Sequence, residues 1–205
     1  FLLAGVSIIG LIRYKAIDAP AKIIVVYIIV TTLSETIAHY LSIYVKNNLF
    51  VYHIYSPIQF FLFSIYYNIL ISFFKKYNIG LIIGISGVAL SIFNSVFFQK
   101  PYTQFNTYFL IVESILIIGM TLTYFYDFLN SDNVTKDITT SDFWISCLLL
   151  IFWSFTFFNW LAEATMPQII DQNIEWVRYM NWFINIITYG GIGLILLFYN
   201  KSGKT

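Results

Sequence analysis

The chain has 205 residues, of which 59% are hydrophobic and 10% charged, and its mean hydropathy is +0.78. Soluble domains carry about 25% charged residues, so this composition excludes an ordinary soluble enzyme and a disordered chain. The net charge of +1 excludes a nucleic-acid-binding protein with a basic face. We therefore expect an all-α, polytopic integral membrane protein whose first partner is the lipid bilayer of a cell membrane.

Seven apolar stretches are predicted to form transmembrane helices, because about 20 mainly apolar residues are needed to cross about 30 Å of hydrocarbon. They cover approximately residues 1–12, 22–44, 51–74, 79–98, 104–128, 142–164 and 174–199. The first stretch is too short to span alone and opens without methionine, which indicates that an upstream part is absent from this sequence. The prediction is one seven-helix transmembrane domain over residues 1–205.

Basic residues orient this predicted bundle, because Lys and Arg accumulate in cytoplasmic loops. Eight of the 11 flank one side, namely Arg13, Lys15, Lys22, Lys75, Lys76, Lys136, Lys201 and Lys204. The other side has Lys46, Lys100 and Arg178. This asymmetry predicts an amino terminus outside and a carboxyl terminus in the cytoplasm. A composition rich in Ile, Phe, Tyr, Asn and Lys suggests an AT-rich bacterial genome, and hence a bacterial cytoplasmic membrane.

A faint internal repeat relates the first three predicted helices to the last three. Residues 33–36 align with residues 161–164, which places Glu35 opposite Glu163. A repeat of this kind would give a three-plus-one-plus-three plan in which the fourth helix is the linker. The linker helix carries Gly80, Gly84 and Gly87, a small-residue stripe that favours close helix packing.

Polar side chains within the spans contain most of the functional information, because they are costly in lipid and usually face the bundle interior or a cavity. Thr31, Glu35 and His39 follow at i, i+4 and i+8, which is one face of a helix. Similar stripes occur on other helices, mostly in the outer half, whereas the inner halves are apolar. We therefore predict an outward-facing polar pocket above an apolar floor, lined by Glu35, His39, His53, Gln59, Glu113, Asn159, Glu163, Arg178, Asn181 and Asn185.

Individual members of this set suggest particular roles. A carboxyl group in hydrocarbon is either neutral or paired with a cation, and His39 is the nearest predicted partner of Glu35. Arg178 with its neighbouring asparagines would suit an anionic or carbonyl group of a ligand. The aromatic residues Tyr52, Trp160 and Trp176 lie near span ends and are interpreted as interfacial anchors.

Three functions remain open on this sequence. The first is a binding or sensing module that takes a small molecule or a lipid head group and passes its state to a protein partner. The second is a small-solute transporter, because small seven-helix sugar and vitamin carriers share the three-plus-one-plus-three plan. The third is an intramembrane metal-dependent lipid hydrolase, in which zinc would be held by His39, His53 and Glu35.

Two families offer comparisons of topology. Seven-helix hydrolases that resemble alkaline ceramidases use three histidines, whereas this chain has 2. Seven helices with an external amino terminus also resemble rhodopsins, but a retinylidene Schiff base needs a lysine inside the bundle. The seventh predicted helix has no lysine before Lys201. We therefore expect no retinal, and no resident cofactor other than the zinc that a lipid hydrolase would need.

Overall fold

The computed structural model describes residues 1–130, 140–166, 168 and 174–199. Over these residues all regular secondary structure is helical. The helices are α1 (Leu2–Arg13), α2 (Ala19–Tyr44), α3 (Leu49–Leu70), α4 (Ser72–Tyr77), α5 (Ile79–Phe97), α6 (Thr107–Leu129), α7 (Ser141–Thr165) and α8 (Ile174–Leu197).

Six of these helices, namely α2, α3 and α5 to α8, are long and apolar enough to cross a membrane. Their outward surfaces expose large aliphatic and aromatic side chains, such as Ile82, Ile85 and Phe93 on α5. Helix α1 is apolar but has 12 residues, fewer than a span requires. The described fold therefore fits a multi-pass membrane protein, and a seventh complete span stays a prediction.

The third predicted span ends earlier than its hydropathy suggests. Helix α3 stops at Leu70, Ile71 is extended, and the short helix α4 follows in place of a continuous span to residue 74. The carboxylate of Asp127 accepts a hydrogen bond of 3.0 Å from the backbone N–H of Ser72, which occupies a donor left free at the start of α4. Asn78 then adopts a left-handed conformation between α4 and α5, which asparagine tolerates better than most residues.

Neighbouring helices pack into a closed ring of six, with the short helix α4 and helix α5 outside it. Helix α1 packs against α2 and α8, α3 against α2 and α6, and α7 against α6 and α8. Helix α5 packs mainly on α3, where the Gly80, Gly84 and Gly87 stripe faces residues 60–68 of α3. The stripe therefore serves the close packing that its spacing predicts, whereas the internal repeat stays a prediction.

The two ends of the bundle differ in charge. At the end where α2 and α7 terminate and α3, α6 and α8 begin, which we call the cavity end, lie Lys46, Lys100 and Arg178. At the opposite end the Arg13 guanidinium donates a hydrogen bond of 2.7 Å to the backbone carbonyl of Tyr199 and joins α1 to the end of α8. That end also holds Lys15, Lys22, Lys75 and Lys76, whereas Lys136, Lys201 and Lys204 lie outside the described residues.

A layer of packed rings closes the middle of the bundle. Its members are Tyr27, Phe63, Trp153 and Tyr189, which we call the aromatic floor. The ring centroids of Tyr27 and Phe63 are 4.6 Å apart, and those of Phe63 and Trp153 are 5.8 Å apart. Buried aliphatic side chains of α2, α7 and α8 continue the packing toward the opposite end. These aliphatic side chains, and not the four floor residues, belong to the runs that the sequence predicts as apolar inner halves.

Candidate functional site

A polar cavity of about 230 Å³ lies between α2, α3, α7 and α8 at the cavity end of the bundle. It is lined by five residues of the predicted pocket, namely Glu35, Gln59, Asn159, Asn181 and Asn185. The remaining lining consists of Thr31, Tyr52, Tyr55, Ser56, Phe105, Leu110, Phe152, Trp153, Phe155, Thr156, Trp160, Ile184 and Tyr189. Amide, hydroxyl and carboxylate groups thus share the cavity with aromatic rings.

Helical periodicity explains how each helix contributes several side chains to the cavity. On α2, Thr31 and Glu35 are one turn apart and point to the same side. On α8, Asn181, Asn185 and Tyr189 follow at four-residue steps and also line the cavity. Because α2 and α8 run in opposite directions, these stripes meet at one depth of the bundle.

Glu35 lies deep in the bundle and remains accessible. It is nine residues before the end of α2, which places it about 14 Å below that end. Its side chain is exposed, and it has no hydrogen-bond or ion-pair partner among the described residues. It interacts electrostatically with the hydroxyl groups of Tyr52, Tyr55 and Tyr189. The carboxylate therefore lies in the same cavity lining as these three tyrosines and is not hydrogen-bonded to them.

A second cavity, of about 550 Å³, lies beside the polar cavity between the start of α1 and helices α2 and α8. The two cavities share four lining residues, Thr31, Glu35, Asn185 and Tyr189. Glu35 therefore lies at the boundary of two spaces, which accounts for the exposure of a charged side chain at this depth.

Buried hydroxyl groups fix the base of the polar cavity. The Thr31 hydroxyl lies 2.8 Å from the Tyr27 carbonyl oxygen, to which it donates, and 2.8 Å from the Tyr55 hydroxyl. The hydroxyl groups of Tyr27 and Tyr189 are 3.0 Å apart. These contacts join α2 to α3 and α8, and satisfied buried polar groups of this kind hold one packing arrangement.

Three aromatic residues in contact form one wall of the cavity. The ring of Phe105 is 5.0 Å from that of Tyr52 and 4.8 Å from that of Trp160, with an angle of 17° between the Phe105 and Trp160 planes. The interpretation of Tyr52 and Trp160 as interfacial anchors is therefore corrected, because both rings turn inward toward Phe105. The position of a residue near a helix end does not show whether its ring points toward the bundle interior or toward lipid. Trp176 is 68% exposed, as an anchor would be.

His53 belongs to a different part of the structure from the polar cavity. It is buried, its Nδ1 atom lies 2.7 Å from the Ser95 hydroxyl, and its Nε2 atom lies 3.0 Å from the Gln104 carbonyl oxygen. Both ring nitrogens are occupied, so the imidazole links α3 to α5 and to the segment before α6. His53 therefore joins neighbouring segments by hydrogen bonds and does not line the cavity, as the sequence had predicted it would.

Glu113 is fully buried but does not line the polar cavity. Neither of its carboxylate oxygens has a hydrogen-bond partner among the described residues. It is close enough to Tyr55 to interact electrostatically with that hydroxyl. The side chain thus lies near the cavity but outside its lining.

The other three predicted pocket residues also lie away from the cavity lining. His39 and Arg178 are exposed, and Glu163 is partly exposed. No ion pair joins His39 to Glu35 in the described part of the chain. Each of the three lies nearer to a helix end than the lining residues of its own helix. The helical spacing therefore predicted the helix face, but these residues lie too close to the bundle surface to reach the cavity.

A metal centre is not assembled from the predicted ligands. Within residues 1–130, 140–166, 168 and 174–199, no group of three His, Cys, Asp or Glu side chains could hold a metal ion. His39 is exposed on α2, and both nitrogens of His53 are engaged elsewhere. The set of His39, His53 and Glu35 therefore does not fit a zinc site.

No protein-family model, curated protein or solved structure matches the chain. The function is therefore inferred from the polar cavity itself.

Proposed function

We propose that this protein is an integral membrane binding module whose polar cavity opens to the outside and holds a small polar molecule or a lipid head group. The observation that carries the proposal is the convergence of Glu35, Gln59, Asn159, Asn181 and Asn185 from four helices on one cavity. Polar side chains at membrane depth are costly and mark functional sites. A few polar groups within a largely apolar and aromatic lining are typical of ligand sites.

Charge supports the outward orientation. Basic residues accumulate in cytoplasmic loops, and five of the described ones lie at the end opposite the cavity, namely Arg13, Lys15, Lys22, Lys75 and Lys76. Three lie at the cavity end. A multi-pass protein oriented by this rule opens its polar cavity to the extracellular or periplasmic side.

The aromatic floor favours binding over transport. A transporter needs its site to reach both faces of the membrane in turn, and Tyr27, Phe63 and Trp153 pack directly beneath this cavity, each at most 2% exposed. A binding module needs access from one side alone. Helices α7 and α8 both contribute lining residues and pack on each other, so an occupied cavity would bias their packing, and a membrane partner would respond to that change.

Filling the polar cavity is expected to abolish ligand retention. Asn185→Trp places a large ring in the cavity, and Thr156→Phe does so from α7. Ile187→Trp, at an exposed site on α8 outside this cavity, is the matched control. Protein extracted from membranes of the expressing cells is examined by native mass spectrometry. We expect a bound species on the wild type and on Ile187→Trp, and its loss from both filled variants. The same bound species on all four proteins, or none on the wild type, would contradict the proposal.

A further inference from the structure

Among the described residues, the lining of the polar cavity is acidic and aromatic and includes no basic side chain. Of the 18 described lining residues, 8 are Phe, Tyr or Trp, Glu35 is the single acid, and none is Lys, Arg or His. The only basic residue of the predicted pocket on α8, Arg178, is exposed and lies outside the lining. The described lining therefore lacks Arg178, the cationic side chain that was predicted to bind an anionic group of the ligand.

We propose that the ligand of this cavity carries an organic ammonium group, which binds between the Glu35 carboxylate and the aromatic wall of Tyr52, Phe105 and Trp160. This inference rests on the proposed function, because it names the chemical class of the ligand for the same cavity. The ammonium group belongs either to a free amine from outside or to a zwitterionic lipid head group.

The charge of Glu35 is the first argument for a cation. The carboxylate lies about 14 Å below the end of α2 and has no ion-pair or hydrogen-bond partner among the described residues. A carboxyl group at this depth is either neutral or paired with a cation, and a cation beside it stabilises the ionised form. Since neither His39 nor Arg178 supplies that cation, a ligand that brings its own positive charge completes the site.

The rings are the second argument, and they favour an organic cation over an inorganic one. Alkylammonium groups are attracted to aromatic faces by the ring quadrupole, and assemblies of several rings are used to bind quaternary ammonium ligands. Inorganic cations instead require several oxygen ligands at short distances, and no cluster of three acidic or imidazole side chains exists among the described residues. Asn181 and Asn185 remain available for a hydroxyl or carbonyl group next to the ammonium.

Choline and its uncharged isostere 3,3-dimethylbutan-1-ol separate charge from shape. Binding of both is measured by titration calorimetry on the protein in nanodiscs of anionic phosphatidylglycerol. We expect choline to bind and Glu35→Gln to weaken it by about 10-fold or more, because an ion pair becomes a contact with a neutral amide. Trp160→Leu is expected to weaken choline by about 5-fold. Binding of the neutral isostere should change by less than about 2-fold in Glu35→Gln, since it makes no use of the charge.

Two controls define the remaining outcomes. His39→Ala, one turn from Glu35 but outside the cavity, is expected to leave choline binding unchanged. Repeating the titration in nanodiscs of phosphatidylcholine distinguishes the sources: weaker apparent choline binding there indicates competition by the lipid head group, and unchanged binding indicates a free amine, each in agreement with the ammonium site.

Each negative result has a distinct meaning. Equal binding of choline and its neutral isostere, or choline binding that Glu35→Gln does not alter, overturns the ammonium inference while the cavity remains a binding site. Absence of choline binding to the wild type also overturns the ammonium inference. The proposed function fails separately, when native mass spectrometry finds the same bound species on the two filled variants as on the wild type, or none on the wild type.

Discussion

Gly80→Ala is expected to destabilise the protein strongly, because its Cβ atom has no room between α3 and α5. A Cβ atom at this position would lie 2.5 Å from the backbone carbonyl oxygen of Ser64 and 2.5 Å from the Cβ atom of Asn68. Backbone cannot move aside as a flexible side chain can. The Gly80 N–H also donates a hydrogen bond of 3.0 Å to the Asn68 side chain, which separation of the helices would lengthen. We expect a loss of about 2–3 kcal/mol in the free energy of unfolding.

Gly119→Ala is the matched control for this substitution. Gly119 lies on the exposed side of α6, with no heavy atom within 4 Å of a Cβ added there. Alanine favours a helix over glycine by about 1 kcal/mol, so this variant should be as stable as the wild type or more stable. Both are compared by thermal unfolding in detergent micelles. Equal midpoints for Gly80→Ala and Gly119→Ala would refute the close packing of α5 on α3.

Glu113→Met is expected to stabilise the protein by about 1–3 kcal/mol, because it removes a buried polar group that has no partner among the described residues. Methionine has a similar length and adapts to irregular packing. Because Glu113 does not line the polar cavity, ligand binding should be unchanged. The free energy of unfolding is measured by denaturant titration in mixed micelles, and choline binding is measured on the same samples.

Glu163→Met controls for the general effect of removing a carboxylate from a span. Glu163 is partly exposed near the end of α7, where solvation costs little, so the change in unfolding free energy should stay within about 0.5 kcal/mol. Loss of choline binding in Glu113→Met, together with lower stability, would show instead that Glu113 takes part in the site as the sequence predicts.

Hydropathy was sufficient to predict a polytopic membrane protein and the six long apolar helices of the described residues. The bounds of α5 and α7 differ from the prediction by one residue at each end or less, because apolar runs end where polar residues begin. The break between α3 and α4 was missed, since it depends on a hydrogen bond from Ser72 to Asp127, 55 positions along the chain. No local pattern reveals such a contact.

The polar cavity was predicted in part for a similar reason. Period and depth together placed Glu35 and Asn185 on facing stripes, and the structure brings them to one cavity. His53 shares a helix with Gln59, which lines the cavity, yet it turns to Ser95 and Gln104. The sequence predicts which residues share one face of a helix. Which neighbouring helix packs against that face depends on tertiary contacts, which the periodicity does not show.

Access to the polar cavity from one side can be measured with an introduced thiol. Cys147, the one cysteine of the chain, is replaced by serine, and Asn181→Cys then places a thiol in the lining. Leu194→Cys is the control, at an exposed site of α8 outside the cavity and on a helix that we expect to span the membrane. A small membrane-impermeant methanethiosulfonate is added to vesicles of either orientation. We expect labelling of Asn181→Cys from the external side alone and none of Leu194→Cys. Labelling of Asn181→Cys from the cytoplasmic side, or from neither side, would contradict an outward-open polar cavity.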